Sequence, residues 1–236
     1  MAIAFVQKVT GTGSLVITSV AAGNTLIVCH SALRNPQTQA VIATPTDSAG
    51  TLTGGIGGVP AKFVGGSYEI GVGVFFEANA ASGSHTITPE ACANNQVSVS
   101  EYSGMVTASL LDVSATAKFS DGTETSQVTG TTSTTAQNAE LIIIAFALGH
   151  NVGVTNIGLT NPVSGFTTLH IANDSGADIG AMHAYKIVSV TGTQSATFNW
   201  TDSELGSEHA AIAAFKGVAS SAPFPPFDQR PNLVSF

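Results

Sequence analysis

The stretch Asn24-Thr25-Leu26-Ile27-Val28-Cys29-His30-Ser31-Ala32-Leu33 returns 115 positions on as Ala139-Glu140-Leu141-Ile142-Ile143-Ile144-Ala145-Phe146-Ala147-Leu148. Both runs are apolar at odd and even positions alike, and both have strand length, so each reads as a central strand buried on its two faces. Other blocks repeat in the same order. Gly50 matches Gly165, and Glu69-Ile70-Gly71 matches Asp178-Ile179-Gly180 at an offset of 109. That register continues through Phe76/Tyr185, Ser82-Gly83-Ser84/Thr191-Gly192-Thr193 and Thr88/Thr197. Val97–Gly104 then matches Ala210–Gly217 at an offset of 113. Ordered blocks with drifting offsets describe one unit duplicated, with changes in its loops. Two copies are too few for a solenoid.

The remaining segments read as short strands. Leu15-Val16-Ile17, Ala40–Thr44, Tyr68–Ala78, His85–Thr88 and Val97–Tyr102 fall in the first copy, with Leu111–Phe119 and Ser126–Thr134 added before the central strand of the second. Gly71 and Gly73 suggest a bulge or a close backbone approach. Thr at alternate positions suits a half-exposed pleated surface. No window holds a 3.6 period. The expected fold is an all-β antiparallel sandwich, jelly-roll or immunoglobulin-like, with about seven strands per copy. The copies are expected at residues 1–105 and 106–218, followed by an extended arm at 219–236. Each copy is large enough to be its own sandwich. The chain from Met105 to Leu111 carries no Pro/Gly-rich linker, which favours one integrated unit.

Composition agrees. Of 236 residues only 9% are charged and 43% are hydrophobic, with 28 Thr, 24 Ser and 25 Gly. A disordered chain would need more charge and less apolar content, and a coiled coil more Ala, Glu, Lys and Leu. The net charge is −8, and the seven cations (Lys8, Arg34, Lys62, Lys118, Lys186, Lys216, Arg230) are scattered singly. Without a cationic cluster neither nucleic acid nor an anionic membrane is an expected partner. The segment Met1–Lys8 lacks the basic and apolar regions of a secretory signal, so synthesis in a cytoplasm without the ordinary export signal is expected. Cys29 and Cys92 do not make a disulfide framework.

The segment Ala219–Phe236 differs from the rest. It holds four of the nine prolines and spaces Phe224, Phe227, Leu233, Val234 and Phe236 along a chain that proline keeps extended. Phe224, Phe227, Arg230, Leu233 and Phe236 are the candidate residues of an assembly arm that reaches a neighbouring subunit. The competing expectation packs the arm on its own body.

Motifs for chemistry are scarce. There is no nucleophile elbow, no phosphate-binding loop and no H-E-x-x-H. Gly54-Gly55-Ile56-Gly57-Gly58 reads as a loop. His170 and His183 flank an expected turn at Asn173-Asp174-Ser175-Gly176, which would set the two rings on one face as diagonal neighbours. Two imidazoles alone make a poor zinc site. Asp174 and Asp178, and separately Asp202, Glu204 and Glu208, make oxygen-rich loops, but not at calcium-loop spacing. No catalytic residue, metal or cofactor is therefore expected. Trp200 and Tyr68 are the candidate platforms if the protein binds a glycan.

Ala22-Gly23-Asn24-Thr25-Leu26-Ile27-Val28, Asp47-Ser48-Ala49-Gly50, Ala81-Ser82-Gly83-Ser84-His85-Thr86-Ile87 and Glu101-Tyr102-Ser103-Gly104 follow one another, and a second pass runs from Glu140-Leu141-Ile142-Ile143 to Ala213-Ala214-Phe215-Lys216. Over about residues 14–217 this pattern resembles the Thr/Gly-rich β-sandwich proteins of tailed-bacteriophage virions and bacterial surfaces. The resemblance implies a virion location and a structural, non-enzymatic role. The protein is expected to be a capsid decoration (cement) protein that binds the major capsid protein and copies of itself as a homo-oligomer. The alternative is a glycan-binding module of a fibre or surface protein.

Overall fold

The computed structural model describes residues 2–35, 40–62, 68–122, 124–150, 158–160, 163, 165–174, 179–201 and 206–219. Among them are sixteen strands and no helix. The protein is an all-β stack of antiparallel sheets. The first large sheet orders its strands β1 (Ala4–Gly11), β9 (Asn94–Ser103), β3 (Thr25–Arg34), β7 (Glu69–Glu77) and β5 (Thr53–Ile56), with β6 (Ala61–Lys62) also on β7. The second orders β10 (Leu111–Gly122), β16 (Gly206–Lys216), β12 (Glu140–His150), β14 (Ile179–Val188) and β13 (Thr167–Asp174). The strand orders correspond one for one. Two small sheets complete the stack: β2 (Leu15–Val20), β8 (Gly83–Thr88) and β4 (Thr46–Asp47), and β11 (Ser126–Val128) with β15 (Thr197–Asn199).

Packing makes four layers. The two large sheets face each other across a shared core that includes Ile27, Cys29, Leu33, Val72, Val74 and Tyr102 from one side and Leu141, Ile143, Ala145, Ala213 and Phe215 from the other. On its outer face the first sheet buries Leu26, Val28, Phe75, Val97 and Val99 with Leu15, Ile17 and Ile87 of its small sheet. The second sheet does the same with Ile142, Ile144, Phe146 and Ile212 against Phe198 and Trp200. Strands β3 and β12 therefore lie between two cores, which is why neither shows polar alternation. Every residue of β3 is buried.

The large sheets meet about a pseudo-twofold axis: β1 approaches β13, β9 approaches β14, β3 approaches β12, β7 approaches β16, and β5 and β6 approach β10. This is the self-complementary geometry of an isologous dimer, closed here within one chain.

Three local expectations are corrected. Ala40–Thr44 forms no strand; Ile42 alone is driven into the outer core, and pairing begins only at Thr46. Asn173 and Asp174 belong to β13, opposite Gly180 and Ile179, so the turn starts later than its Asn-Asp chemistry suggested. The run after Val128 does not alternate. Thr129, Thr132 and Thr135 face the Gly192–Ala196 segment at every third position, each donating its N–H to the carbonyl of Ala196, Gln194 and Gly192 in turn. Each threonine Oγ1 then accepts the N–H of that same residue, at 3.1, 2.9 and 3.1 Å. Ser48 and Thr86 form the same two-bond rung in the first copy. Hydroxyls substitute for ladder carbonyls, so the partner groups are satisfied without a regular strand.

Candidate functional site

The densest cluster of ionisable groups lies in the first copy, where β4, β7 and β8 converge. Asp47, Glu77 and His85 each bring one ligand-type atom to within 4.8 Å of the others. His85 Nδ1 lies 2.6 Å from Asp47 Oδ2 and 3.9 Å from Glu77 Oε2, and all three side chains are nearly or fully buried. Asp47 is placed by the short β4–β8 pairing, and its Oδ1 accepts the N–H of Ala49 in an Asx-type turn. His85 Nε2 bonds the carbonyl oxygen of Ala81 at 2.9 Å. Burial pushes the Glu77 carboxyl up to about 7, helped by its hydrogen bond to Asp47 and the like charge there. Burial opposes charge on His85, but the Asp47 bond, the Ala81 carbonyl and the two carboxylates prevail, so its pKa is raised. The surroundings thus favour the proton on His85 and hold the Glu77 carboxyl near the edge of ionisation at neutral pH.

A second polar cluster lies between the large sheets. His170 and His183 are direct register partners across β13 and β14 rather than diagonal neighbours, with ring centroids 5.5 Å apart. A register shift between Thr168 and His170 creates that alignment. The Ser31 hydroxyl donates to the Phe146 carbonyl at 2.9 Å, so it accepts from His183 Nε2 at 3.0 Å. His183 Nδ1 then accepts from the Ser98 hydroxyl at 2.9 Å. The ring is neutral and saturated, and burial holds its pKa well below the usual value. His170 bonds Gln96 at 2.9 Å, and burial, with Lys8 nearby, lowers it too. His209 Nδ1 accepts the Val72 N–H at 3.3 Å across the same interface. His30 pairs with Asn95 on the other face of β3. His170, His183 and His209 bond across the interface between the copies and His30 within the first; among the described residues they do not converge as metal ligands.

A third feature sits at the end of the body. Gly217 N–H donates to the Ala139 carbonyl and Val218 N–H to that of Gly104, which ties the last described strand to both copies. Beside this stitch is a groove of about 450 Å³ lined by Ala2, Ile3, Asn138, Ala139, Ile187, Val188, Ser189 and Val218. It is mostly apolar, and Ile187 and Val218 are exposed in it. A smaller recess, bounded by Gln137, Asn138, Ala139 and Ala219, adjoins it.

The candidate arm residues Phe224, Phe227, Arg230, Leu233 and Phe236 lie outside the described residues, as do Asp178, Asp202 and Glu204 of the acidic loops. Glu208 is buried in β16. Trp200 is 4% exposed and stacks on Phe146 at 5.4 Å, so it is a core residue and offers a sugar no platform. Cys29 and Cys92 are free thiols. Asp47, Glu77 and His85 were not singled out from sequence, because they stand on three elements with no motif spacing. The one available signal was the pair of quoted blocks, Asp47–Gly50 and Ala81–Ile87, that carry two of them.

No protein-family model, curated protein or solved structure matches this chain.

Proposed function

We propose that this chain is a non-enzymatic structural protein of a tailed-bacteriophage virion, a capsid decoration protein that binds and stabilises a protein shell. The observation that carries this reading is where the Pro/Phe-rich segment starts: it follows Ala219, beside an apolar groove at the junction of the two copies. A folded body whose last described residues, Val218 and Ala219, border an apolar groove, followed in sequence by a Pro/Phe-rich segment, suits a protein that adds affinity over a broad shell surface. Prolines limit the arm's unfolded freedom, so less entropy is lost when it docks. Burying one phenylalanine contributes roughly 1.5–3 kcal/mol, and the arm has three. The polar interior of the body supports the same reading. The five described histidine side chains are each engaged by a partner within the fold, which suits a scaffold better than a reaction centre.

The test is deletion of residues 222–236. The truncated chain should melt within a few degrees of the full chain and lose binding to shells assembled from the major capsid protein, scored by co-sedimentation and electron microscopy. A truncated chain that melts far lower yet still decorates shells would make the arm part of the fold and remove the main support.

A further inference from the structure

We propose that Asp47, Glu77 and His85 form a binding site for one divalent first-row metal ion, with zinc the best fit, that clips the small sheet of the first copy onto its large sheet. Asp47 and His85 stand on the small sheet and Glu77 on the large one. An ion held by all three would therefore cross-link two layers. It would also anchor β4, which is only two residues long.

Four observations point to an ion rather than to an ordinary buried ion pair. The first is the donor set: one imidazole and two carboxylates, gathered within 4.8 Å. Ligand atoms about 2.0–2.2 Å from a tetrahedral ion stand roughly 3.3–3.6 Å from one another. The separations here, 2.6 and 3.9 Å from His85 Nδ1, straddle that value, so small side-chain shifts complete the geometry.

The second is the orientation of His85. Its Nε2 is committed to the Ala81 carbonyl, and this bond presents Nδ1 to the carboxylates. Metal-bound histidines use that same outer bond to fix the tautomer and aim the ligating nitrogen.

The third is Glu77. The residue is 8% exposed, and its Oε2, the oxygen nearer His85 Nδ1, has no hydrogen-bond partner. A buried carboxylate oxygen left unpaired is costly, and a cation is the ligand that would satisfy it. Gly50 makes room for this carboxylate, since a Cβ there would fall inside the Glu77 carboxyl group.

The fourth comes from the duplication. In the register of the second copy Glu77 corresponds to Lys186 and His85 to Gln194. Lys186 Nζ lies 4.6 Å over the Phe166 ring, and Gln194 takes part in the threonine rungs. The second copy builds the same two-layer unit without the cluster. Closing the module therefore does not require it, and its presence in one copy only marks an added property of that copy.

Zinc would take the place of the hydrogen bond between His85 Nδ1 and Asp47 Oδ2. Calcium, which takes oxygen donors, should not compete.

The experiment uses the full chain, stripped with a chelator and titrated with Co²⁺ and then Zn²⁺. One Co²⁺ should bind per chain with the visible absorption of a tetrahedral mixed nitrogen/oxygen site. Zn²⁺ should displace it, a hundredfold excess of Ca²⁺ should not, and Zn²⁺ should raise the melting temperature. Glu77→Gln and His85→Gln should weaken binding about tenfold or more. Gly50→Ala, which removes no donor atom, should weaken it by displacing Glu77. Circular dichroism checks that each variant folds, and if His85→Gln does not, Glu77→Gln and Gly50→Ala decide. Absence of stoichiometric binding at millimolar Zn²⁺ would overturn the proposal. So would binding that survives Glu77→Gln and Gly50→Ala unchanged. Neither result bears on the arm, whose test is truncation.

Discussion

Lowering the pH should loosen the interface between the two copies, and His209 allows the size of the effect to be worked out. The ring is 1% exposed on β16. Burial pushes it down to about 4, the charge on Lys118, its register partner on β10, adding to the fall and a bond to the Gly57 backbone opposing it. Its Nδ1 accepts the Val72 N–H, so a proton added there would set two donors face to face. The folded-state pKa lies below the unfolded value of 6.5, so the unfolded chain takes the proton first. Stability is therefore complete above pH 6.5 and falls as the pH drops towards 4. At pH 5 the unfolded chain lies about 1.5 units past its titration point while the folded chain is still mostly neutral. The loss from His209 alone is then about 2 kcal/mol, a large share of a total of roughly 5–15 kcal/mol.

Other groups titrate over the same range. His30, His170 and His183 are also lowered and add to the loss. Glu77 and Glu140, both raised to about 7, work the other way, since their contribution is full below 4.5 and is lost as pH rises through 7. A variant separates His209 from these. In His209→Asn the amide oxygen can still accept the Val72 N–H, but the residue cannot be protonated. Urea unfolding of both proteins at pH 8 and pH 5 gives the comparison. His209→Asn should be the less stable at pH 8, by about 1–3 kcal/mol for the lost Gly57 bond. Its drop between pH 8 and pH 5 should be smaller than that of the parent by about 2 kcal/mol. Equal drops in the two proteins would refute the argument that His209 is held neutral by this interface.

Ser31→Ala should cost about 1–3 kcal/mol, because it strands the His183 Nε2–H and frees the Phe146 carbonyl, whereas Ser14→Ala, at an exposed pair with Thr88, should cost under about 0.5 kcal/mol; denaturant midpoints decide. Trp200 is the sole tryptophan, so its emission should be blue-shifted in the native state and shift red on unfolding, and Trp200→Ala should cost about 3–5 kcal/mol. A native emission like that of free indole in water would contradict its burial. Thr132→Val removes the acceptor of the Gln194 N–H and should cost about 1 kcal/mol, with faster amide exchange at Gln194; unchanged exchange would show that the hydroxyl rung is not closed.

Much of the fold was legible in two segments. Because Leu26–Leu33 and Leu141–Leu148 lack polar alternation, each had to lie between two apolar layers, and each does. The same property hid their register. Matching Leu-Ile to Leu-Ile gives an offset of 115, yet Leu26 faces the outer core and Leu141 the shared one. A slip of one residue turns every side chain to the wrong face. The pairings instead place Ile27 with Ile143: Ile27 lies between Phe76 and Ser100, and Ile143 between Tyr185 and Ala213. That is an offset of 116, in step with the 109 and 113 of the neighbouring strands. When both faces are apolar, the sequence carries no mark of which is which. The threonine run after Val128 was misread for a related reason: β propensity flags threonine but does not separate a pleat from a three-residue repeat. The Asp47–Glu77–His85 cluster was illegible because its members meet only through the β4–β8 pairing and the packing of that small sheet on β7.

The pseudo-twofold arrangement explains where the copies are free to differ. At the shared interface each residue of one copy meets the other, so a change there has to suit two contexts at once. The inner positions accordingly keep matched pairs such as Ile27 with Ile143, Phe76 with Tyr185, and Tyr102 with Phe215, all in one core. The exceptions are polar, His183 on one side of the axis and His209 on the other. His183 bonds Ser98 where the symmetry-related positions hold Val74 and Ala211. A saturated polar pair on one side and an apolar pair on the other can coexist only because the copies are fused: in a true dimer of identical chains both sides would carry the same residues. The outer layers face no such constraint. There the first copy holds Asp47, Glu77 and His85, while the second holds Lys186 over Phe166 and Trp200 on Phe146. Fusion also removes the entropic cost of association that two separate chains would bear. The interface can therefore hold buried histidines that an isolated dimer would hold together less well. The properties particular to each copy are accordingly to be sought on the outer sheets and at the rim where Val218 leaves the body, and the properties of the pair in the central layer.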